Sequence, residues 1–228
     1  MPVLALDTSA AVAVALLDDG ATLAARFMYE QRRHAEQLAP MIAEVLAATG
    51  TDRTALTAIV VGTGPAPFTG LRVGLVTART LGLALGIPVY GVCGLDALAA
   101  QAAADLDLAA GTEVLVVTDA RRREVYWARY RVAARAVDVE LVAGPGVASA
   151  AQVAADGRAA GAVVVGRGAG LYPGALPPVE GAPVDPDPAV LARIALARCA
   201  RGEQLPTEPL YLRRPDVMPP AGRKRALG

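Results

Sequence analysis

Val3-Leu4-Ala5-Leu6, Ala11-Val12-Ala13-Val14-Ala15-Leu16-Leu17 and Thr22-Leu23-Ala24-Ala25-Arg26-Phe27-Met28-Tyr29 head the chain, separated by Asp7-Thr8-Ser9 and by Asp18-Asp19-Gly20. Short apolar runs bounded by turn residues read as strands, and an Asp-Gly pair between two of them signals a tight hairpin. Three strands joined by such short turns form an antiparallel meander. The period then changes. From His34 to Ala48, residues Leu38, Met41, Ile42, Val45 and Leu46 recur at helical spacing and make one apolar stripe, with Gly50 as a stop. Ile59-Val60-Val61 is a buried strand, and a breaker-rich loop from Gly62 to Gly70 leads into a helix over 71–85 that Gly86 and Pro88 close. A strand at Val89 to Val92 and a helix at Leu95 to Ala104 complete the order β-β-β-α-β-α-β-α.

Residues 105–112 form a joint. Beyond it, strands are expected at Glu113 to Thr118, Glu124 to Val132, Val137 to Val142 and Val163 to Val165. Helices are expected at Val147 to Ala155 and Ala189 to Ala200, with Gly166-Arg167-Gly168-Ala169-Gly170 and a Pro-rich stretch over 173–188 as loops. Both halves begin with strands and then alternate strand with helix. This is an internal duplication and implies α/β architecture in two related lobes, each a mixed sheet flanked by helices. The expected boundaries are 1–107 and 108–206, followed by a tail at 207–228. Arg213, Arg214, Arg223, Lys224 and Arg225 make that tail basic and suit a solvated end or, alternatively, a contact with a polyanion or partner.

Composition narrows the function classes. Of 228 residues 54% are hydrophobic and 19% charged, which supplies a real core and excludes global disorder. Aromatics are only 4%, so that core is built from small aliphatic side chains. Lys and Arg number 22 and Asp and Glu 22, a zero balance that disfavours tight, independent nucleic-acid binding. Cys93 and Cys199 stand far apart and in no CxxC, so they offer neither a disulfide framework nor a thiol metal site. No basic n-region opens the chain, and Gly, Pro or Arg breaks each apolar stretch, so a cytoplasmic protein without membrane contact is expected.

Few groups carry chemistry. Asp7, Thr8 and Ser9 close a buried strand and have two readings. The carboxylate could hold a hydrated divalent ion while the turn faces phosphate, or the tripeptide is a turn fixed by its own side chains. In the Gly64-to-Arg72 stretch, Gly64 and Gly70 permit close backbone approach and Thr69 can cap the next helix, but no GxxxxGK[ST] is present. Such a helix N-terminus could receive an anion; a structural turn is the simpler reading. His34 is the only histidine, and Leu38 stands four residues on, so no two-histidine helix site for a metal exists. Any Ser-His-Asp triad would have to use His34, and no Gly-x-Ser-x-Gly elbow occurs.

Taken together, Leu4-Ala5-Leu6-Asp7-Thr8-Ser9, His34-Ala35-Glu36-Gln37-Leu38, the Gly64-to-Arg72 loop, Thr118-Asp119-Ala120-Arg121-Arg122-Arg123-Glu124-Val125-Tyr126 and Pro209-Leu210-Tyr211-Leu212-Arg213 resemble, in this order, the TsaB (YeaZ) family. The most specific blocks are Phe68-Thr69-Gly70-Leu71-Arg72 and Asp119-Ala120-Arg121. The resemblance implies the two-lobed actin/Hsp70/sugar-kinase-like fold. It also implies a role in threonylcarbamoylation of adenosine 37 of tRNA, beside the metal-bearing transferase TsaD and the ATPase TsaE. Leu38 at the second position of TsaD's HxxxH implies a non-catalytic paralogue that touches tRNA through the complex. Asp7, Thr8 and Ser9 then become the residues for weak ATP or ADP binding with magnesium in that complex, and the chain itself requires no cofactor. Two residues depart from the family loop, which usually reads Gly-Pro-Gly-Ser-Phe-Thr-Gly: Ala66 and Pro67. Proline lacks an N–H and Cβ at 66 disfavours positive φ, which weakens any anion cradle there.

Helices 34–48 and 71–85 carry more apolar face than one lobe covers. Against the same pair from TsaD, or from a second copy when alone, they make a four-helix interface. Leu38, Met41, Ile42, Val45, Leu75 and Val76 are the expected core of it, and His34, Arg72 and Arg79 the rim. The alternative is an active small-molecule kinase or ATPase of the same fold. A peptidase is a third reading, made remote by the single histidine.

Overall fold

The computed structural model describes residues 1–29, 34–134 and 138–213, and in the first helix the side chains from Glu36 onward. Strands β1 (Pro2–Asp7), β2 (Val12–Asp18) and β3 (Ala21–Met28) form the meander, each pair antiparallel. Asp19 and Gly20 turn between β2 and β3 with φ of 46° and 81°, the positive pair a two-residue hairpin needs. Helix α1 (His34–Thr49) returns the chain to β4 (Ala58–Gly62), which pairs parallel with the free edge of β1. Helix α2 (Phe68–Leu85), stopped by Gly86 in the left-handed region, leads to β5 (Val89–Val92), parallel to β4. The sheet order is β3-β2-β1-β4-β5.

After α3 (Gly94–Asp105) the scheme repeats without its fifth strand. β6 (Glu113–Asp119) pairs antiparallel with β7 (Glu124–Val132) and parallel with β9 (Ala162–Val165); β8 (Val139–Ser149) lies outside β7. The order is β8-β7-β6-β9, with α4 (Ala150–Ala155), α5 (Arg167–Leu171) and α6 (Pro188–Ala200) as helices. Two mixed sheets with flanking helices, the second a shortened copy of the first, are the arrangement expected of the actin/Hsp70/sugar-kinase-like fold.

Local readings need correction at three places. Helix α2 starts at Phe68, three residues before the expected Leu71, and Thr69 lies within it. Pro67 is the cap residue and offers no side-chain bond; its ring fixes φ, here −58°, so the turn forms without a polar cap. Residues 147–149 extend β8, and the helix begins only where the Ser149 hydroxyl accepts from the Gln152 N–H. The Gly166–Gly170 run is a helical turn, α5, rather than a loop. Val137 and tail residues Arg214, Arg223, Lys224 and Arg225 lie outside the described residues.

Side-chain alternation sets the layers. From β1, Leu4 and Leu6 meet α1 and α2, whereas Val3 and Ala5 meet α6. From β6, Val114 and Val116 meet α3, whereas Leu115 and Val117 meet α4 and α5. Strands covered on both faces read as unbroken apolar runs, as β1 and β4 do. The expected lobe boundary divides the sheets but not the helices. Leu95, Leu98, Ala99 and Ala102 of α3, expected in the first lobe, pack on the second sheet. Leu191, Ala192, Ile194 and Ala195 of α6, expected in the second, pack on the first. The two cross at the centre, where Asp96 accepts from Arg198 and from the Tyr130 hydroxyl, each at 2.7 Å. Among the described residues, no helix is long and apolar enough to cross a membrane.

Candidate functional site

The parallel strands of the two sheets end facing one another, and two aspartates mark the ends. Asp7 closes β1, and its Oδ1 accepts from the Ser9 N–H (2.9 Å) and hydroxyl (2.6 Å). Asp119 closes β6, and its Oδ1 accepts from the Arg121 N–H at 2.7 Å. Each is the side chain-to-backbone turn that Asp favours, so the duplication extends to the turn chemistry. Between them lies a cleft lined by Ser9, Pro65, Pro67, Thr118, Arg121 and Arg167, among others, with a volume of about 30 Å³. That is room for about one water molecule and far below the several hundred Å³ of a small-molecule site.

The three residues expected at a nucleotide divide their roles. The Thr8 hydroxyl is used up inside the lobe: it donates to the Gly70 carbonyl at 2.8 Å and accepts from the Gly74 N–H at 3.0 Å. It locks the first turns of α2 onto the end of β1, and its only hydroxyl hydrogen is spent on Gly70 rather than left for a phosphate. Ser9 lines the cleft. Asp7 is buried, and its Oδ2 has no hydrogen-bond partner. Burial therefore pushes its carboxyl up to about 6, against the pull of the two bonds from Ser9. Gly62 makes room for that oxygen, because a Cβ there would lie 1.9 Å from Oδ2. Gly62→Ala is expected to cost about 3 kcal/mol, read by urea unfolding, by driving methyl against carboxylate in a packed site. A loss below about 1 kcal/mol, within the range of an ordinary substitution, would show that Asp7 can swing aside.

Other groups near the cleft hold the backbone rather than offer chemistry. Arg167 makes a two-point ion pair with Asp185, which raises the guanidinium's pKa. Arg121, Arg122 and Arg123 all sit at positive φ (64°, 53° and 63°), a conformation that side chains other than Gly rarely adopt. Burial pushes the Cys93 thiol up to about 12, so it is no nucleophile. Among the described residues, no His, Cys, Asp and Glu side chains gather in threes at metal-binding range.

A second surface lies on the outer face of α1 and α2, and burial divides the residues expected at an interface there. Leu38, Met41, Ile42, Val45 and Leu75 are packed into the core of their own lobe and present nothing outward. One stripe cannot face both inward and outward, and the adjoining sheet takes it. Val76 alone of the expected core is exposed, at 61%. The exposed residues include Ala39, Pro40, Ala43, Ala47 and the charged Glu44 on α1, with Val76, Thr80 and Leu83 on α2; Leu83 is 85% exposed. The His34 side chain lies outside the described residues.

Arg72 and Arg79 are engaged by their own chain. Arg79 donates to the Thr207 hydroxyl (2.8 Å) and carbonyl (2.7 Å), and Arg72 to the Tyr211 hydroxyl (2.9 Å). Tyr211 in turn stacks on Phe68 with ring centres 4.4 Å apart. Residues 207–213 are therefore held down, contrary to the solvated tail expected from charge. Nothing local in the sequence marks these contacts or the Thr8 lock, since their partners stand 62 to 139 residues apart.

The family model for TsaD, described as tRNA N6-adenosine threonylcarbamoyltransferase, matches residues 28–174. A crystal structure of a Pseudomonas aeruginosa protein with similarity to the peptidase YeaZ is 34% identical, superposes with a TM-score of 0.78, and shares 93% of this chain and 99% of its own. YeaZ from Pseudomonas aeruginosa is 30% identical with a TM-score of 0.76, over 92% of this chain and all of the other. An uncharacterized protein of Mycobacterium tuberculosis is 45% identical over 95% of this chain and 94% of its own. The Escherichia coli tRNA threonylcarbamoyladenosine biosynthesis protein TsaB is 39% identical over 58% of this chain and 55% of its own.

Proposed function

Since the chain belongs to the TsaB (YeaZ) family, we propose that it serves tRNA threonylcarbamoyladenosine biosynthesis as a non-catalytic partner of the TsaD transferase. The observation that carries the reading is the outer face of α1 and α2. Ala39, Ala43 and Ala47 on α1 are small and exposed, and the apolar Val76 and Leu83 on α2 are exposed too, which offers a second helix pair apolar surface to cover and little bulk to keep it away. The same patch serves a second copy of this chain when TsaD is absent, by a two-fold contact. The chemistry belongs to TsaD on this reading, because a lone histidine with Leu38 four residues on cannot repeat a two-histidine metal site. The TsaE ATPase joins the assembly, and tRNA is held by the complex in the cytoplasm. With Thr8 committed to α2 and the cleft narrow, Asp7 and Ser9 alone could meet ATP or ADP with magnesium, in the assembled complex only.

Reconstitution tests the proposal. TsaD and TsaE are assayed on tRNA with and without this chain, and modified adenosine is measured. Product that forms only when the chain is present is the expected result. Equal product without it, or robust ATP turnover by the chain alone, would overturn the reading.

A further inference from the structure

The C-terminal residues 205–213 leave α6, run along the first lobe and end on the second. The Gly91 N–H of edge strand β5 donates to the Leu205 carbonyl at 3.0 Å, and the Leu210 N–H donates to the Thr63 carbonyl at 2.8 Å. Gly91 allows the first of these, since a Cβ there would sit 2.1 Å from the Pro206 carbonyl oxygen. Arg79 and Arg72 grip Thr207 and Tyr211, and Arg72 also lies 5.4 Å from the centre of the Phe68 ring and 5.7 Å from that of Tyr211. The hold on the first lobe is thus backbone bonds, a stacked ring pair and two arginines. The described hold on the second lobe is different in kind: a part-exposed ion pair between Arg213 and Glu124.

The position of these contacts matters. Thr63 begins the loop whose Pro65 and Pro67 line the interlobe cleft, and Glu124 ends the turn whose Arg121 lines it from the other side. The lobes are joined at their centre by the α3/α6 crossing, through Asp96, Arg198 and Tyr130. We propose that residues 205–213 are a latch, anchored on the first lobe and closed on the second by Arg213 and Glu124, which keeps the interlobe cleft shut. Part-exposed ion pairs are individually weak and are screened by salt, so this end is the one that releases. The lobes then part about the α3/α6 crossing while the strap stays on α2. Because Arg72 and Arg79 belong to α2, the latch links that helix to the cleft. Only this link rests on the partner reading above, and the experiment uses the isolated chain.

Hydrogen exchange on the full chain reads the opening directly, in peptides covering residues 8–11 and 118–123. Arg213→Glu replaces attraction with repulsion and is expected to raise exchange there about tenfold, while peptides of β1 and β4 stay protected. The double variant R213E/E124R restores the pair and the protection. In the unaltered chain, exchange at the cleft rises between low and high sodium chloride. Cleft exchange that ignores Arg213→Glu, or a rise that Glu124→Arg does not reverse, overturns the latch. Should Arg213→Glu loosen the whole chain, Tyr211→Phe removes only the bond to Arg72. A smaller rise confined to the cleft supports the proposal, and no change there refutes it.

Discussion

A chain carrying Val76→Glu and Leu83→Glu is expected to fold normally and fail to bind TsaD, whereas one carrying Val45→Glu is expected not to fold. The difference follows from burial. Val76 and Leu83 are 61% and 85% exposed, and surface substitutions of that kind change stability by about 0.5 kcal/mol or less. Val45 is fully enclosed among Leu38, Met41 and Ile42, and a carboxylate placed there without a partner costs upwards of about 4 kcal/mol, comparable with the whole stability of a small domain. In the proposed complex with TsaD the roles reverse. Two carboxylates in the middle of an apolar helix-to-helix contact lose about 3 kcal/mol or more, roughly a hundredfold in affinity. Circular dichroism separates folding from binding, and gel filtration with TsaD reads the complex. A folded double variant that still co-elutes tightly with TsaD removes the outer face from consideration. A well-folded Val45→Glu chain would mean that α1 is not seated as described.

Asp7 gives the second large effect, through pH. Its folded carboxyl is raised to about 6 from an ordinary 3.8, so between those values the folded chain binds the proton more strongly than the unfolded chain. Stability from this group is therefore greatest at low pH, falls as pH climbs from about 4 to 6, and stays low above that, a total of about 3 kcal/mol. Asp7→Asn keeps an oxygen to accept from Ser9 but cannot ionise. Its new amide N–H has no acceptor, since the corresponding oxygen has no partner, and that returns part of the gain. At pH 8 the variant should be more stable than the parent by about 1–2 kcal/mol, and near pH 4.5 the order should reverse. Paired carboxylates such as Glu113 and Asp156, held low by Arg131 and Arg158, push the other way at acid pH in both chains. The diagnostic quantity is thus the difference between the two urea-unfolding curves across pH. A constant difference would show that Asp7 does not carry this burden.

Periodicity located nearly all the elements because the apolar spacing is local information. The meander, the Asp19-Gly20 turn and the stripe of α1 are written within a few neighbouring residues each. That stripe has the expected members, and its own lobe covers it. Sequence shows that Leu38, Met41, Ile42 and Val45 are apolar on one side of a helix, but whether a sheet or a partner covers them depends on β2 and β4, and the sheet wins. The exposed surface mixes alanines of α1 with Val76, Thr80 and Leu83 of α2, and small side chains at helical spacing do not show from sequence alone which side faces out. Thr8 illustrates the other limit. Its place beside Asp7 suggests phosphate, yet its bonds go to Gly70 and Gly74, a long-range pairing that no local rule encodes. Breakers are ambiguous at two points: the glycines of the Gly166–Gly170 run lie in a helical turn, and the loop expected as far as Gly70 ends at Pro67, whose fixed φ suits the cap of α2.

The exchange of α3 and α6 between the sheets bears on how the polypeptide acquires its shape as it leaves the ribosome. The inner side of the first sheet, with Val3, Ala5, Ala15 and Val60, is covered chiefly by α6, through Leu191, Ala192, Ile194 and Ala195, beside Ala97 and Ala100 of α3. Nearly the whole chain must therefore be synthesised before its opening strands are shielded from water. Neither half is a self-sufficient folding unit, and a chain interrupted anywhere before α6 leaves a greasy sheet bare for chaperones or for aggregation.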